Sequence, residues 1–160
     1  MTTARASFLS APRCISTTID VDQLNAAAVA QTFTLGLQIP AGALVISRYL
    51  NLATEFSGGG AGSVIVDFGD QAQAQGWYTE ENIFTGAGAG FKVQPAVTGV
   101  YLGGDSLGTA VTRAPAADCL APARTITVTI TSNVNVNLLT AGSLGVNVFY
   151  VEQAAGDLPA

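Results

Sequence analysis

Two cysteines, a scatter of carboxylates and two glycine clusters are the residues of this 160-residue sequence that could do chemistry. A thiol nucleophile needs a base to ionise it. Cys14 and Cys119 have no histidine to pair with, because the chain contains none, and Lys92 is its sole lysine. Unperturbed thiols are weakly ionised, and Cys119, between Asp118 and Leu120, reads as a packed small hydrophobe. Neither CxxC nor another metal spacing is present. The lack of histidine also removes imidazole acid–base catalysis and histidine-ligated zinc. Asp67 and Asp70 flank Phe68-Gly69, with Glu80-Glu81 following. Such a group could support acid–base hydrolysis or take calcium through oxygen ligands. The DxDxDG loop spacing is absent, however. Asp67 alternates with Val66 and Phe68 and so points outward, while Asp70 has the place of a turn or cap residue. The plain reading is solvated loop carboxylates, with calcium near Asp67 and Asp70 left open. The clusters at 58–62 and 86–90 match neither GxxxxGK[ST] nor a GxGxxG that opens a helix, and are expected to be hairpin turns. Trp77-Tyr78 could stack a sugar, but adjacent aromatics more often anchor a loop or an interface. The expectation is therefore no cofactor, no metal and no enzyme.

Composition narrows the class further. Hydrophobic residues make up 49% of the chain and charged residues 11%, against about 25% charged in ordinary globular domains. The net charge is −5 with six dispersed cations, which argues against nucleic-acid binding, where affinity rests on many phosphate contacts. Mean hydropathy is +0.41, yet no apolar run approaches the ~20 residues of a spanning helix, so no membrane partner is expected. The N-terminus makes a poor signal peptide. That favours a reducing cytoplasm for synthesis, where both cysteines stay thiols. Low charge favours an obligate assembly whose subunits cover one another; the alternative is a compact monomer coated with Thr, Ser, Asn and Gln.

The elements that must position these residues are strands. Residues 1–30 lack a convincing period and are expected to form an extended N-terminal arm, with at most a short turn of helix at Ala26–Ala30. From Gln31, Phe33, Leu35 and Leu37 alternate with Thr32, Thr34 and Gly36. In the stretch 43–54, Leu44, Ile46, Arg48, Leu50 and Leu52 share one face. Val64, Val66 and Phe68 share a face in the next strand, the two strands forming a hairpin across the 58–62 glycines. Residues 70–90 read as a polar excursion, with a helical turn capped by Asp70 and with Trp77, Tyr78, Ile83 and Phe84 tucked back. Short strands follow at 91–97 and 100–102. Thr125 to Thr131 alternates without a fault, Val134, Val136 and Leu138 continue its period, and Leu144, Val146, Val148 and Tyr150 form the last strand. About eight antiparallel strands and no ordinary helix predict an all-β fold, a single jelly-roll β-sandwich. The expected organisation is arm 1–30, sandwich 31–153 and C-terminal tail 154–160.

Several segments, in order, resemble small jelly-roll virion proteins of tailed bacteriophages, in particular capsid decoration or cement proteins. They are Phe33-Thr34-Leu35-Gly36 with Ile39-Pro40-Ala41-Gly42-Ala43, then Phe56-Ser57-Gly58-Gly59-Gly60 before Val64-Ile65-Val66-Asp67-Phe68-Gly69-Asp70. Thr125 to Thr131 then leads to Leu139-Thr140-Ala141-Gly142 and Val148-Phe149-Tyr150-Val151. The resemblance implies a non-enzymatic structural protein of the virion. Such a protein would bind the outer capsid surface as a homotrimer and bridge major capsid subunits. Read with that implication, the arm (Phe8, Leu9, Ile15), the Trp77-Tyr78 pair and the threonine face (Thr125, Thr127, Thr129) are the expected contacts. The alternatives are a carbohydrate-binding jelly-roll module and another head or tail structural subunit of a phage.

Overall fold

The computed structural model describes residues 11–92 and 122–152. Among these residues eight strands run in chain order: β1 (Arg13–Asp20), β2 (Ala30–Ile39), β3 (Leu44–Ser57), β4 (Val64–Asp70), β5 (Gln73–Asn82), β6 (Gly90–Lys92), β7 (Arg124–Ser132) and β8 (Ala141–Val151). They form two four-stranded sheets, ordered β1-β8-β3-β6 and β2-β7-β4-β5, and every pairing between them is antiparallel. Apart from β4–β5, each described connection carries the chain to the other sheet. This is the strand order of a jelly roll, as the alternation predicted. Only short 3-10 turns, Val21–Gln23 and Val136–Leu138, interrupt the strands among the described residues.

Period two explains the core. A strand sends alternate side chains to opposite faces, and the inward sets of the two sheets meet. Leu50, Leu52, Leu144 and Val148 from one sheet and Val64, Val66, Phe68, Ile126, Val128 and Ile130 from the other are all fully buried. Each such side chain contributes about 1.5–3 kcal/mol on leaving water.

The chain departs from the sequence reading in several places. The expected arm is, in its described part, the edge strand β1, paired with β8 from Arg13↔Tyr150 to Asp20↔Ser143, followed by a 3-10 turn at Val21–Gln23 and, where a helical turn is expected at Ala26–Ala30, an irregular stretch that enters β2. An edge strand needs one partner and one apolar face, and Ile15 and Ile19 supply that face. The polar excursion is largely β5, a polar edge strand. Asp70 caps no helix; its Oδ1 accepts the Ala72 N–H at 2.9 Å and closes the tight β4–β5 hairpin. The glycines at 58–62 make no β3–β4 hairpin, since β3 and β4 lie in different sheets. That loop is held as a corner: Asn133 Oδ1 accepts the N–H groups of Gly62 and Ser63 at 2.8 and 3.1 Å. A Cβ on Gly59, at φ +61°, would lie 2.6 Å from the Leu138 carbonyl. The glycines at 86–90 likewise connect strands of different sheets. Ile46 leaves the core face and is 47% exposed, because a bulge between Val45 and Ser47 shifts the register; Arg48 follows that irregularity. Val134, Val136 and Leu138 do not extend β7, which ends at Ser132 before a 3-10 turn. Of the strands expected at 91–97 and 100–102, only the start, within β6, falls among the described residues.

Candidate functional site

The carboxylates weighed for hydrolysis or calcium have structural partners and do not converge. Asp67 lies on the outer face of β4, where its Oδ1 accepts the Glu80 N–H at 2.8 Å. Glu80 sits at φ +52° in a stretch where β5 has an extra residue opposite Val66–Phe68, so Asp67 pins a β-bulge. Asp70 points the other way, into the protein. It is fully buried, and its Oδ2 meets Arg124 Nη1 at 3.4 Å. Opposite orientations on one strand keep the two from acting as paired ligands. Among the described residues, no group of three or more His, Cys, Asp or Glu stands close enough to hold a metal ion. No described helix is long and apolar enough to cross a membrane. Burial pushes the Glu81 carboxyl above its ordinary value, and the nearby Lys92 ammonium partly offsets the shift.

The second glycine cluster does bind an anion, but an internal one. Glu55 accepts the Gly86 N–H at 3.1 Å and the Gly88 N–H at 2.7 Å through its two carboxylate oxygens. Lys92 Nζ closes the same loop on the Ala87 carbonyl at 2.5 Å. Successive backbone N–H groups form concavities that favour negative charge; here the charge comes from the neighbouring strand β3.

The expected contact residues separate into three groups. Phe8 and Leu9 lie outside the described residues. Ile15, Trp77 and Tyr78 are in the core, at 8%, 1% and 1% exposure. Phe68 meets Trp77 edge-on at 4.9 Å and Tyr78 at 5.9 Å, and the Tyr78 hydroxyl donates to the Lys92 carbonyl at 2.8 Å. Trp77-Tyr78 is thus an internal anchor, neither sugar platform nor partner contact. Two neighbours in one strand can both be inward because irregular β4–β5 register breaks the alternation. Thr125, Thr127 and Thr129 do line the outer face of β7, opposite buried Ile126, Val128 and Ile130. Thr129 bonds Thr32 hydroxyl to hydroxyl at 2.8 Å, and Thr125 accepts from Gln38 at 3.3 Å. Thr127, central on that face, is 9% exposed.

The larger surface feature is on the other sheet, and the sequence reading did not single it out. Phe149 of β8, Tyr49 of β3 and Phe91 of β6 form an aromatic diagonal on its outward face. Tyr49 stacks on Phe149 at 5.8 Å and meets Phe91 edge-on at 5.2 Å. Phe91 is 68% exposed, and Cys14 of β1, also exposed, is the register partner of Phe149. Alternation already sets Tyr49 opposite Leu50; only the strand pairing brings it beside the other two.

No family model matches the chain, and no curated protein matches it. Among solved structures it is similar to a chain of the cyanophage Pam1 capsid asymmetric unit, at 18% identity and a TM-score of 0.54, over 95% of this chain and 92% of that one. At that identity the likeness is one of fold, and it extends over nearly the whole of both chains.

Proposed function

We propose that this protein is a non-enzymatic structural component of a phage virion: a decoration or cement protein that binds the outer surface of the head as a homotrimer and bridges neighbouring major capsid subunits. The observation that carries this reading is the end-to-end fold match with a chain of a phage capsid asymmetric unit. Glu55, Asp67 and Asp70 bind backbone groups or Arg124, and Glu152 pairs with Arg13, which also supports a structural role. The mechanism is mass action. A protein that binds the assembled lattice and not its loosened form stabilises that lattice, and several linked copies multiply weak contacts. Phe8 and Leu9 are the contacts assigned to the shell.

The test is attachment to purified heads stripped of this protein, followed by electron cryomicroscopy. The expected result is trimeric density on the outer surface at three-fold and quasi-three-fold positions, lost when residues 2–10 are deleted. The deletion stops short of β1, whose removal would unpair one edge of β8. Density at a tail or portal would favour the alternative of another structural subunit. Full attachment of the truncated chain would refute the role given to Phe8 and Leu9.

A further inference from the structure

The outward face of the β1-β8-β3-β6 sheet holds a notch beside its aromatic diagonal. Phe149, Tyr49 and Phe91 form one wall. Gly145 is the floor: a Cβ there would lie 3.4 Å from the Asn51 Cβ and 3.9 Å from Asn147 Nδ2, so two amide side chains flank a position that has none. Each amide also has a ring beside it, because Asn147 is the register partner of Tyr49 and Asn51 that of Phe91. We infer that this notch binds a neutral glycan, a sugar face lying on the rings and the sugar hydroxyls bonding to the two amides.

Three observations select a sugar. The first is the pairing of rings with amides. A pyranose presents C–H groups on its face and hydroxyls around its rim. The negative face of an aromatic ring attracts the first, and an amide, with two N–H donors and an acceptor oxygen, matches hydroxyls that both donate and accept. A few placed polar groups among aromatics are the ordinary make-up of a small-ligand site. Ser16 donates its hydroxyl to Asn147 Oδ1 at 2.8 Å, which fixes that amide with its Nδ2 on the Gly145 side. The second is charge. The register levels Cys14–Phe149–Ser47, Ser16–Asn147–Tyr49 and Thr18–Gly145–Asn51–Phe91 contain no charged side chain. Beyond them, Asp20 stands opposite Ser143 at one end, and Arg13 is paired with Glu152 at the other. An anionic ligand meets no cation on these levels and is repelled by the net charge of −5. The third is size. Three levels ~6.8 Å apart on strands ~4.8 Å apart give a surface on the order of 300 Å². That is well below the roughly 800 Å² per partner of a standard protein interface, and it suits a ligand of a few sugar rings.

The experiment is an NMR titration of the full chain, without heads, using neutral hexasaccharides of glucose, mannose, galactose and N-acetylglucosamine, with hexagalacturonate as the charged counterpart. At least one neutral probe is expected to shift the amides of Asn51, Gly145 and Asn147. Phe91→Ala should weaken that binding at least about tenfold, as removal of a central aromatic does, and Asn147→Ala about three- to tenfold through one lost hydrogen bond. Gly145→Ala, whose Cβ fills the notch, should weaken it about fivefold or more. Phe91 is 68% exposed, so the fold should tolerate its loss; Leu138→Ser, at a residue 50% exposed beside the glycine corner, is the control expected to change nothing. Silence with every neutral probe overturns the inference, as does binding that survives both Phe91→Ala and Gly145→Ala, or tighter binding of hexagalacturonate. Should Phe91→Ala abolish head attachment instead, the face is a protein contact and the inference falls. A chain that binds sugar here but ignores heads refutes the proposed function and leaves this site standing; a failed sugar titration leaves the proposed function untouched.

Discussion

Asp70 and Glu81 show how one kind of side chain is given opposite treatment a few residues apart. Asp70 is fully buried but meets a cation and a backbone N–H. The attraction in such a pair is largely offset by desolvation, so its effect is positional: it ties the end of β4 to the start of β7. Glu81 is partly buried and gains less than burial takes away, which raises its carboxyl pKa above the ordinary 4.5. The charged form is thus the one the fold disfavours. The stability associated with Glu81 is fully present below pH 4.5 and is lost as pH rises through the raised value. Glu81→Gln should therefore melt slightly higher than wild type at pH 7, and the gap should close toward pH 4. Equal melting temperatures at pH 7 would show that Lys92 compensates the burial in full.

The strands carry their own constraints, and Gly142 is the tightest. It lies in β8 at φ +148°, and a Cβ there would come within 2.2 Å of the fully buried Phe56 ring. Gly145, three residues on, has an ordinary φ and would bring its Cβ to 3.4 Å from Asn51. Gly142→Ala is expected to cost about 1–3 kcal/mol through overpacking, and Gly145→Ala far less, as read from denaturant midpoints. Equal costs would mean that the Phe56 ring moves aside. The same elements show how far the sequence could be read. β4, β7 and β8 were legible because each buries one face completely, so that alternation is strict. β1 and β5 were not, because edge strands tolerate polar residues and need little apolar surface. The glycine loops were recognised as reversals, but alternation states which face a residue takes and not which strand lies beside it. Hairpins were therefore expected where the chain changes sheets. The aromatic diagonal was hidden for the same reason. Tyr49, Phe91 and Phe149 are far apart in the chain and meet only through the β3–β6 and β3–β8 pairings.

At the scale of the whole molecule, the sandwich carries an aromatic face on one side and a threonine-rich face on the other. Such a body can strengthen a shell only by what it binds. If it holds the assembled lattice and not the loosened one, each site adds RT ln(1 + [L]/Kd). The gain does not stop at saturation: each further tenfold rise in free protein adds about 1.4 kcal/mol per site. A wall subunit incorporated during assembly gives no such dependence. Stripped heads titrated with purified protein should therefore release their DNA at temperatures that climb with the logarithm of its free concentration, including beyond full occupancy. The climb should depend weakly on salt if the contacts are as poor in charge as the chain, because screening acts on separated charges and leaves apolar contacts largely alone. A release temperature that ignores free protein would assign the chain to the wall itself. A climb that collapses with added salt would mean that the few exposed charges, and not the apolar residues, make the attachment.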